Sequence, residues 1–278
     1  MTIKLIATDM DGTLLRDDKT FDYGRFEDLL DQMEARGVKM VAASGNQLKQ
    51  LRSYFGPVNP DRLTYVSDNG ALVTHKAEIL GEAPLAKAQI KQVLDWNTQT
   101  QAHMENLIVL SGHKGAYVSN HATPDIIAAV EEFYPEVFQV EKFMDIDDQI
   151  FRLSLVWPPH EDIKDKVRQL RDIFGTEMHA TGSGFGSVDI LSKGTDKARG
   201  LRELSRLWQI EPNQMAAFGD NGNDLEMLHY VGLPFVMPNA EDFMKLRVDN
   251  IALNDNNHNG VLDTIEAILA GAYDAKLS

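Results

Sequence analysis

The chain has 278 residues, 43% hydrophobic and 25% charged, the ordinary balance of a folded globular protein long enough for a sizeable core. Forty-two acidic residues against 27 basic ones leave a formal charge of −15, which argues against nucleic acid or an anionic membrane as partner, because both are held through clustered Lys and Arg. The absence of cysteine excludes disulfides and cysteine-ligated zinc, and no apolar stretch reaches the roughly 18 residues of a membrane span, so the chain reads as soluble and cytoplasmic.

The run Ile3-Lys4-Leu5-Ile6-Ala7-Thr8 predicts a strand, and it ends in Asp9-Met10-Asp11-Gly12-Thr13. Open α/β sheets bind ligands beyond the carboxyl ends of their strands. Two carboxylates at i and i+2 there are candidates for chemistry on a phosphate: one acid to attack phosphorus, the other to handle the leaving-group proton. Two crowded anions need a cation to coexist, which predicts Mg²⁺ with further oxygen ligands from elsewhere. The plainer alternative is an Asx-turn.

Phe21, Phe26, Leu29, Leu30 and Met33 keep helical spacing, with Gly37 as the stop. Residues 38–43 then read as a buried strand ending at Ser44-Gly45-Asn46, followed by a helix through Leu48, Leu51, Tyr54 and Phe55. A hydroxyl and free N–H groups at such a turn can hold a phosphate oxygen, although an ordinary N-cap serine is the simpler reading. Thr64-Tyr65-Val66-Ser67 is another strand, running into Asp68-Asn69-Gly70. This alternation predicts an α/β fold with a doubly wound parallel sheet.

From residue 81 the texture changes: helical patterns at 86–101, 124–133 and 160–174 alternate with strand patterns at 106–110, 116–119, 150–157 and 185–191. The expectation is an inserted α+β module over 81–187, with the core split between 1–80 and 188–278. Lys193-Gly194-Thr195-Asp196-Lys197 opens a helix through Leu201, Leu204, Leu207 and Trp208; a lysine here either neutralises a phosphoryl group or is merely solvated. The strand 215–218 runs into Gly219-Asp220-Asn221-Gly222-Asn223-Asp224, whose acids and amides suit a hard cation or, more plainly, a polar turn. Residues 248–253 predict a strand. Asp255-Asn256-Asn257-His258-Asn259-Gly260 with Glu266 meets the EF-hand spacing literally but lacks an entering helix, so a turn into a last helix buried through Val261, Leu262, Ile265, Ile268 and Leu269 is expected instead.

Taken together, these turns resemble the haloacid dehalogenase-like phosphatases: Asp9-Met10-Asp11-Gly12-Thr13 resembles the first motif, Ser44 the second, Lys197 the third, and Gly219-Asp220 with Asn223-Asp224 the fourth. Asp11 and Gly45 stand 34 positions apart, too close for a large insert, so the long insert between the second and third motifs resembles the Cof-type, IIB-capped subgroup. Residues 42–46, 68–71, 181–186 and 255–258 resemble its bacterial sugar phosphatases, but Asn46 stands where many Cof-type members carry Arg.

The resemblance implies a Rossmann-like core with an inserted α+β cap of type C2B acting as a lid, and a Mg²⁺-dependent phosphatase of small phosphorylated metabolites, above all sugar phosphates. It makes Asp9 the nucleophile that becomes an aspartyl phosphate, and Asp11 the acid and then the base. It places Mg²⁺ on Asp9, the Asp11 backbone carbonyl and Asp220. Ser44, Lys197, Asn223 and the Met10 and Gly45 N–H groups would hold the phosphoryl oxygens, with Gly12, Thr13 and Asp224 in support. Gly184-Phe185-Gly186 is expected as a cap loop facing the site or as a tight turn, and His113, Lys114 and Tyr117 as sugar contacts or, more simply, solvated loop residues. A monomer or small homo-oligomer is expected. A phosphosugar mutase of similar fold and a non-catalytic phosphosugar-binding regulator are the alternatives; intact Asp9 and Asp11 argue against the second.

Overall fold

A computed structural model describes residues 2–100, 106–158, 162–182 and 186–276. Residues 184 and 185 of the expected cap loop lie outside these. The chain begins with β1 (Leu5–Thr8), α1 (Tyr23–Ala35), β2 (Lys39–Ala43), α2 (Leu48–Ser53), β3 (Thr64–Ser67), β4 (Leu72–His75) and β5 (Glu78–Glu82). It continues through α3 (Lys87–Gln99), β6 (Leu107–Gly112), β7 (Ala116–Ser119), α4 (Pro124–Glu131), β8 (Val137–Val140), β9 (Ile150–Val156), α5 (Ile163–Phe174), β10 (Met178–Gly182) and β11 (Ser187–Ser192). The last part comprises α6 (Lys197–Trp208), β12 (Met215–Gly219), α7 (Leu225–Tyr230), β13 (Leu233–Val236), α8 (Asp242–Lys245) and α9 (Gly260–Leu269). Two compact units result: Met1–Ser44 with Leu51–Gly81 and Asp196–Ser278, and Gly45–Gln50 with Glu82–Thr195. Among the described residues no helix is long and apolar enough to cross a membrane.

The first unit holds a seven-stranded sheet in the order β13-β12-β1-β2-β3-β4-β5. The strands from β13 to β3 run parallel, and β4 turns back antiparallel on β3. With β1 central and parallel neighbours on both sides, the carboxyl ends of β12, β1, β2 and β3 share one edge. All four residues of β1 are buried, as expected for a strand covered on both faces. Helix α1 starts at an Asp22 cap that accepts from the Arg25 N–H at 3.1 Å, and it buries Phe26, Leu29, Leu30 and Met33. Gly37 ends the passage at φ +70°, a left-handed position that suits glycine. One face of the sheet packs Leu5, Val41 and Val66 against Leu201, Leu204 and Met227.

Two local readings change, and between them one holds. Residues 248–253 contribute one parallel bridge, Val236↔Ile251, rather than a strand; only the Asn250 carbonyl and the Ala252 N–H reach Val236. The EF-hand-like segment is a turn whose amides bond to other protein groups: Asn256 and Asn257 both donate to the Asp17 carboxylate, at 3.1 and 3.0 Å. Tyr117 is a buried strand residue, not a solvated loop residue, and its hydroxyl donates to Asp148 at 2.9 Å.

The second unit is a six-stranded sheet in the order β10-β11-β9-β6-β7-β8, antiparallel except between β7 and β8. Ile90, Val93, Leu170 and Phe174 from α3 and α5 pack on Leu153, Leu155 and Ile190. Val130 from α4 joins a separate cluster with Val109, Val118 and Tyr134. A buried Arg152–Asp189 pair at 3.0 Å is completed by the Ser154 hydroxyl, 2.7 Å from Asp189. Residues 188–195, expected in the returning core, fall in this unit because β11 takes its register from β9 and β10. Gly45–Gln50 belongs here as well: the buried Gln47 amide donates to the Gly112 carbonyl at 2.8 Å.

Candidate active site

Pairing between β1 and β12 continues one residue beyond the strands, with the Asp9 N–H donating to the Phe218 carbonyl at 3.0 Å. This sets Asp9 beside Gly219 and Asp220 at the carboxyl ends of two central strands. Gly219 has to be glycine, since a Cβ there would stand 2.5 Å from Cβ of Asp224. The chain folds back at this point, and Asp224 Oδ2 accepts the N–H groups of Asp220 at 2.9 Å and Asn221 at 3.0 Å. One carboxyl oxygen thus closes the turn while the other is left for a cation.

Lys197 supplies that cation. Its helix starts at an Asp196 cap, whose carboxylate accepts from the Arg199 N–H at 2.6 Å. The helix lies close to β3, because a Cβ on Gly200 would come within 2.3 Å of Val66 Cγ1. The Lys197 ammonium, wholly buried, sits 2.6 Å from Asp9 Oδ1 and 2.6 Å from Asp224 Oδ1. Burial would lower its pKa, but Asp224 and Asp9 hold it above the ordinary lysine value. Burial, then Asp224, drive Asp9 well above the usual carboxylate range, with Lys197 opposing. Asp220 is pushed up to about 7 by burial and Asp224, against the hydrogen bond from Thr13.

Carboxylate oxygens of Asp9, Asp220 and Asp224 all lie within 4.8 Å of one another. Three acids around one ammonium leave an excess of negative charge in a buried space, and oxygen-only donors are the chemistry a hard divalent cation selects. Thr13 donates to Asp220 Oδ1 at 2.9 Å. Gly12, at φ +72°, lets the backbone approach so closely that a Cβ would stand 2.5 Å from Asp220 Oδ2. The residues present fit such an ion.

The expected residues do not all meet. The Asp11 carboxylate stands outside the three-acid group and pairs with Lys19 Nζ at 2.5 Å. The crowding expected between Asp9 and Asp11 therefore lies between Asp9 and the acids of the 220–224 turn. The reason is local: β1 ends at Thr8, and the Met10 carbonyl accepts from both Thr13 N–H at 3.2 Å and Leu15 N–H at 2.8 Å, so the i, i+2 alternation of a strand is lost. Met10 itself is buried. Ser44 is buried at the end of β2, whereas Gly45 opens the segment that belongs to the second unit. Asn223 donates to Asn69 Oδ1 at 3.0 Å, and the Asn69 N–H donates to the Ser44 carbonyl at 3.0 Å.

Asn69, Lys19 and Asn239 were not among the candidates read from sequence. Asn239 donates to the Gly12 carbonyl at 2.7 Å. For Asn69 a signal existed: Asp68-Asn69-Gly70 ends a strand, and all three residues take positive φ, at 48°, 52° and 93°, a costly backbone that often marks a site. Lys19 also takes a positive φ, at 63°, but neither it nor Asn239 stands in a turn that ends a strand.

The haloacid dehalogenase-like hydrolase family profile matches residues 6–265. The chain is 35% identical, over 97% of its length and 97% of the relative's, to the 5-amino-6-(5-phospho-D-ribitylamino)uracil phosphatase YbjI of Escherichia coli (strain K12). Among solved structures, SMU.1108c from Streptococcus mutans UA159 superposes with a TM-score of 0.89 at 32% identity, over 97% of this chain and 100% of that one. The subclass IIB sugar phosphatase BT4131 has a TM-score of 0.78 at 17% identity, over 95% and 98% of the two chains, a likeness of fold alone. The chain therefore belongs to the haloacid dehalogenase-like hydrolases, as an enzyme of the phosphoric monoester hydrolase type.

Proposed function

We propose that this chain is a Mg²⁺-dependent phosphatase of small phosphomonoesters, with phosphate on the alcohol of a sugar or sugar-alcohol chain as the preferred class, acting through an aspartyl phosphate on Asp9. The observation that carries the reading is a buried carboxylate, Asp9, fixed by a buried lysine inside a group of three acids at the end of the central strand. A carboxylate held so rigidly, beside a fixed positive charge, is arranged for in-line attack on an anionic phosphoryl group. The ribitylamino phosphate named for the E. coli relative supports the substrate class.

In this reading Asp9 Oδ2 attacks phosphorus, since Lys197 takes Oδ1. The P–O bond to the leaving alcohol breaks as the new one forms. Asp11 gives its proton to the departing oxygen, then takes a proton from the water that hydrolyses the acyl phosphate, so the enzyme is regenerated. Lys197, Ser44, Asn223 and the backbone N–H groups of Met10 and Gly45 hold the phosphoryl oxygens. Asp9, Asp220 and the Asp11 backbone carbonyl would hold Mg²⁺, with Asp224 and Thr13 steadying Lys197 and Asp220. When bound, the ion neutralises phosphoryl charge and fixes orientation.

The test is a panel of sugar, sugar-alcohol and aryl phosphates, assayed with Mg²⁺ and with chelator, for the wild type and Asp9→Asn. The expected result is metal-dependent turnover that the substitution abolishes. Retained turnover in Asp9→Asn would remove the nucleophile, and a panel with no preference for polyol phosphates would remove the substrate class.

A further inference from the structure

The turn that mimics an EF-hand is a brace. Asn256 Nδ2 donates to the Leu15 carbonyl at 3.0 Å and to Asp17 Oδ1 at 3.1 Å. Asn257 exchanges two bonds with Asp17, one from its amide and one to its oxygen. Asn259 Oδ1 accepts from Arg16 at 2.8 Å. The 15–19 loop is thereby tied down at its backbone and at two side chains, and the Arg16 carbonyl accepts the Lys19 N–H at 2.9 Å. Asn239 links the same turn to Gly12, next to Asp11: its oxygen accepts from Asn256 N–H at 3.3 Å and its amide holds the Gly12 carbonyl.

At the end of this braced loop stands Lys19 at φ +63°. A side chain in that left-handed region is strained, and glycine or asparagine is the usual occupant. Here the position carries a lysine, and its ammonium bonds Asp11 at 2.5 Å. An ion pair half open to solvent adds little stability, so the contact serves orientation. The Asp11 backbone meets Leu15 in an isolated bridge, and Leu15 is itself held by Asn256, so the braced loop supports Asp11 at its backbone and, through Lys19, at its carboxylate.

Resting on the phosphatase reading above, we infer that Lys19 is a positioning residue for Asp11: the 255–259 turn holds the loop, the loop presents the ammonium, and the ammonium keeps the Asp11 carboxyl aimed at the place the leaving oxygen occupies. The role concerns orientation of the proton donor, so it weighs on substrates that need a proton to leave. Aryl phosphates with acidic leaving groups need little help; alkyl phosphates need it throughout.

The test compares kcat/KM, which reports formation of the aspartyl phosphate and not its hydrolysis, on a sugar-alcohol phosphate and on p-nitrophenyl phosphate for wild type, Lys19→Met, Lys19→Gly and Lys19→Arg. Methionine keeps the length and the backbone demand, while glycine relieves the φ +63° strain, so loss of folding is separated from loss of charge. The expected result is a roughly 10- to 100-fold fall in kcat/KM on the alkyl ester for both Met and Gly, the scale of a misplaced catalytic group. The aryl ester should change by less than about threefold, and arginine should restore most of the loss. Equal losses on both esters, no loss on either, or no recovery with arginine overturns the proposal while leaving the phosphatase reading intact. A wild type that turns over neither ester sinks that reading, and this proposal with it.

Discussion

Replacing Lys197 by methionine keeps the side chain's length and removes its charge from between Asp9 and Asp224. The ammonium is fully buried and 2.6 Å from each carboxylate, so the variant leaves two buried acids without their counter-charge. Taking one partner from a buried pair costs about 3–5 kcal/mol, because the other group stays desolvated and uncompensated. The cost depends on pH, since the acids can escape it by binding protons, and Asp9 is already held toward the protonated form by burial. In the variant the folded state binds protons more tightly than the unfolded chain, so its stability rises as pH falls. Urea unfolding in chelator should show a loss of about 3 kcal/mol or more near pH 8, shrinking toward pH 5. Lys19→Met removes an ammonium that is 46% exposed and should cost under about 1 kcal/mol at either pH. A Lys197→Met loss as small as that of Lys19→Met, or one that ignores pH, would refute the electrostatic account of the site.

Two further outcomes follow from the same geometry. Asp220, raised to about 7, gives stability that is present near its unfolded pKa of 3.8 and lost as pH rises through 7; in chelator the wild type should therefore gain on Asp220→Asn as pH falls from about 8 to 5 in a thermal melt, and Mg²⁺ should remove the difference. Gly12→Ala puts a Cβ 2.5 Å from Asp220 Oδ2 at φ +72°; it should lose roughly 1–3 kcal/mol and most of the Tm increase on adding Mg²⁺, and an unchanged Mg²⁺ response would show that this turn does not shape the ion's site.

Much of the frame was legible because it is written in local terms. The strands that run into Asp9, Ser44, Asp68 and Asp220 are short, apolar and closed by polar or glycine turns, and α1 shows its buried face at plain helical spacing. What escaped reading lacks that contrast. β5 and β8 are edge strands with half their residues polar or exposed, and β13 carries Pro234, which an edge strand tolerates but a pattern reading rejects. The boundary at 187 cuts through the strand pattern 185–191, and only the partners of β11 show which sheet it joins. In the site, Asp9, Lys197, Asp220 and Asp224 were read from their turns. The pairing of Asp11 with Lys19 was not, since it depends on a left-handed residue and on a turn some 240 positions away.

Thr13 and Asp220, joined by one hydrogen bond, are 207 residues apart, and β1 lies between β2 and β12 in the sheet. During synthesis the first strand, Leu5 to Thr8, leaves the ribosome long before the strand that covers its second edge. Until β12 is made, that edge offers unpaired N–H and C=O groups on an apolar segment, the kind of template on which nascent chains aggregate. A nascent chain halted before residue 215 holds the Asp9 turn but neither the pairing strand nor the acids of 220–224, so it has an open sheet and half a site. Biogenesis of this enzyme thus hinges on a late, long-range closure, and holding chaperones should engage the growing chain until that strand arrives.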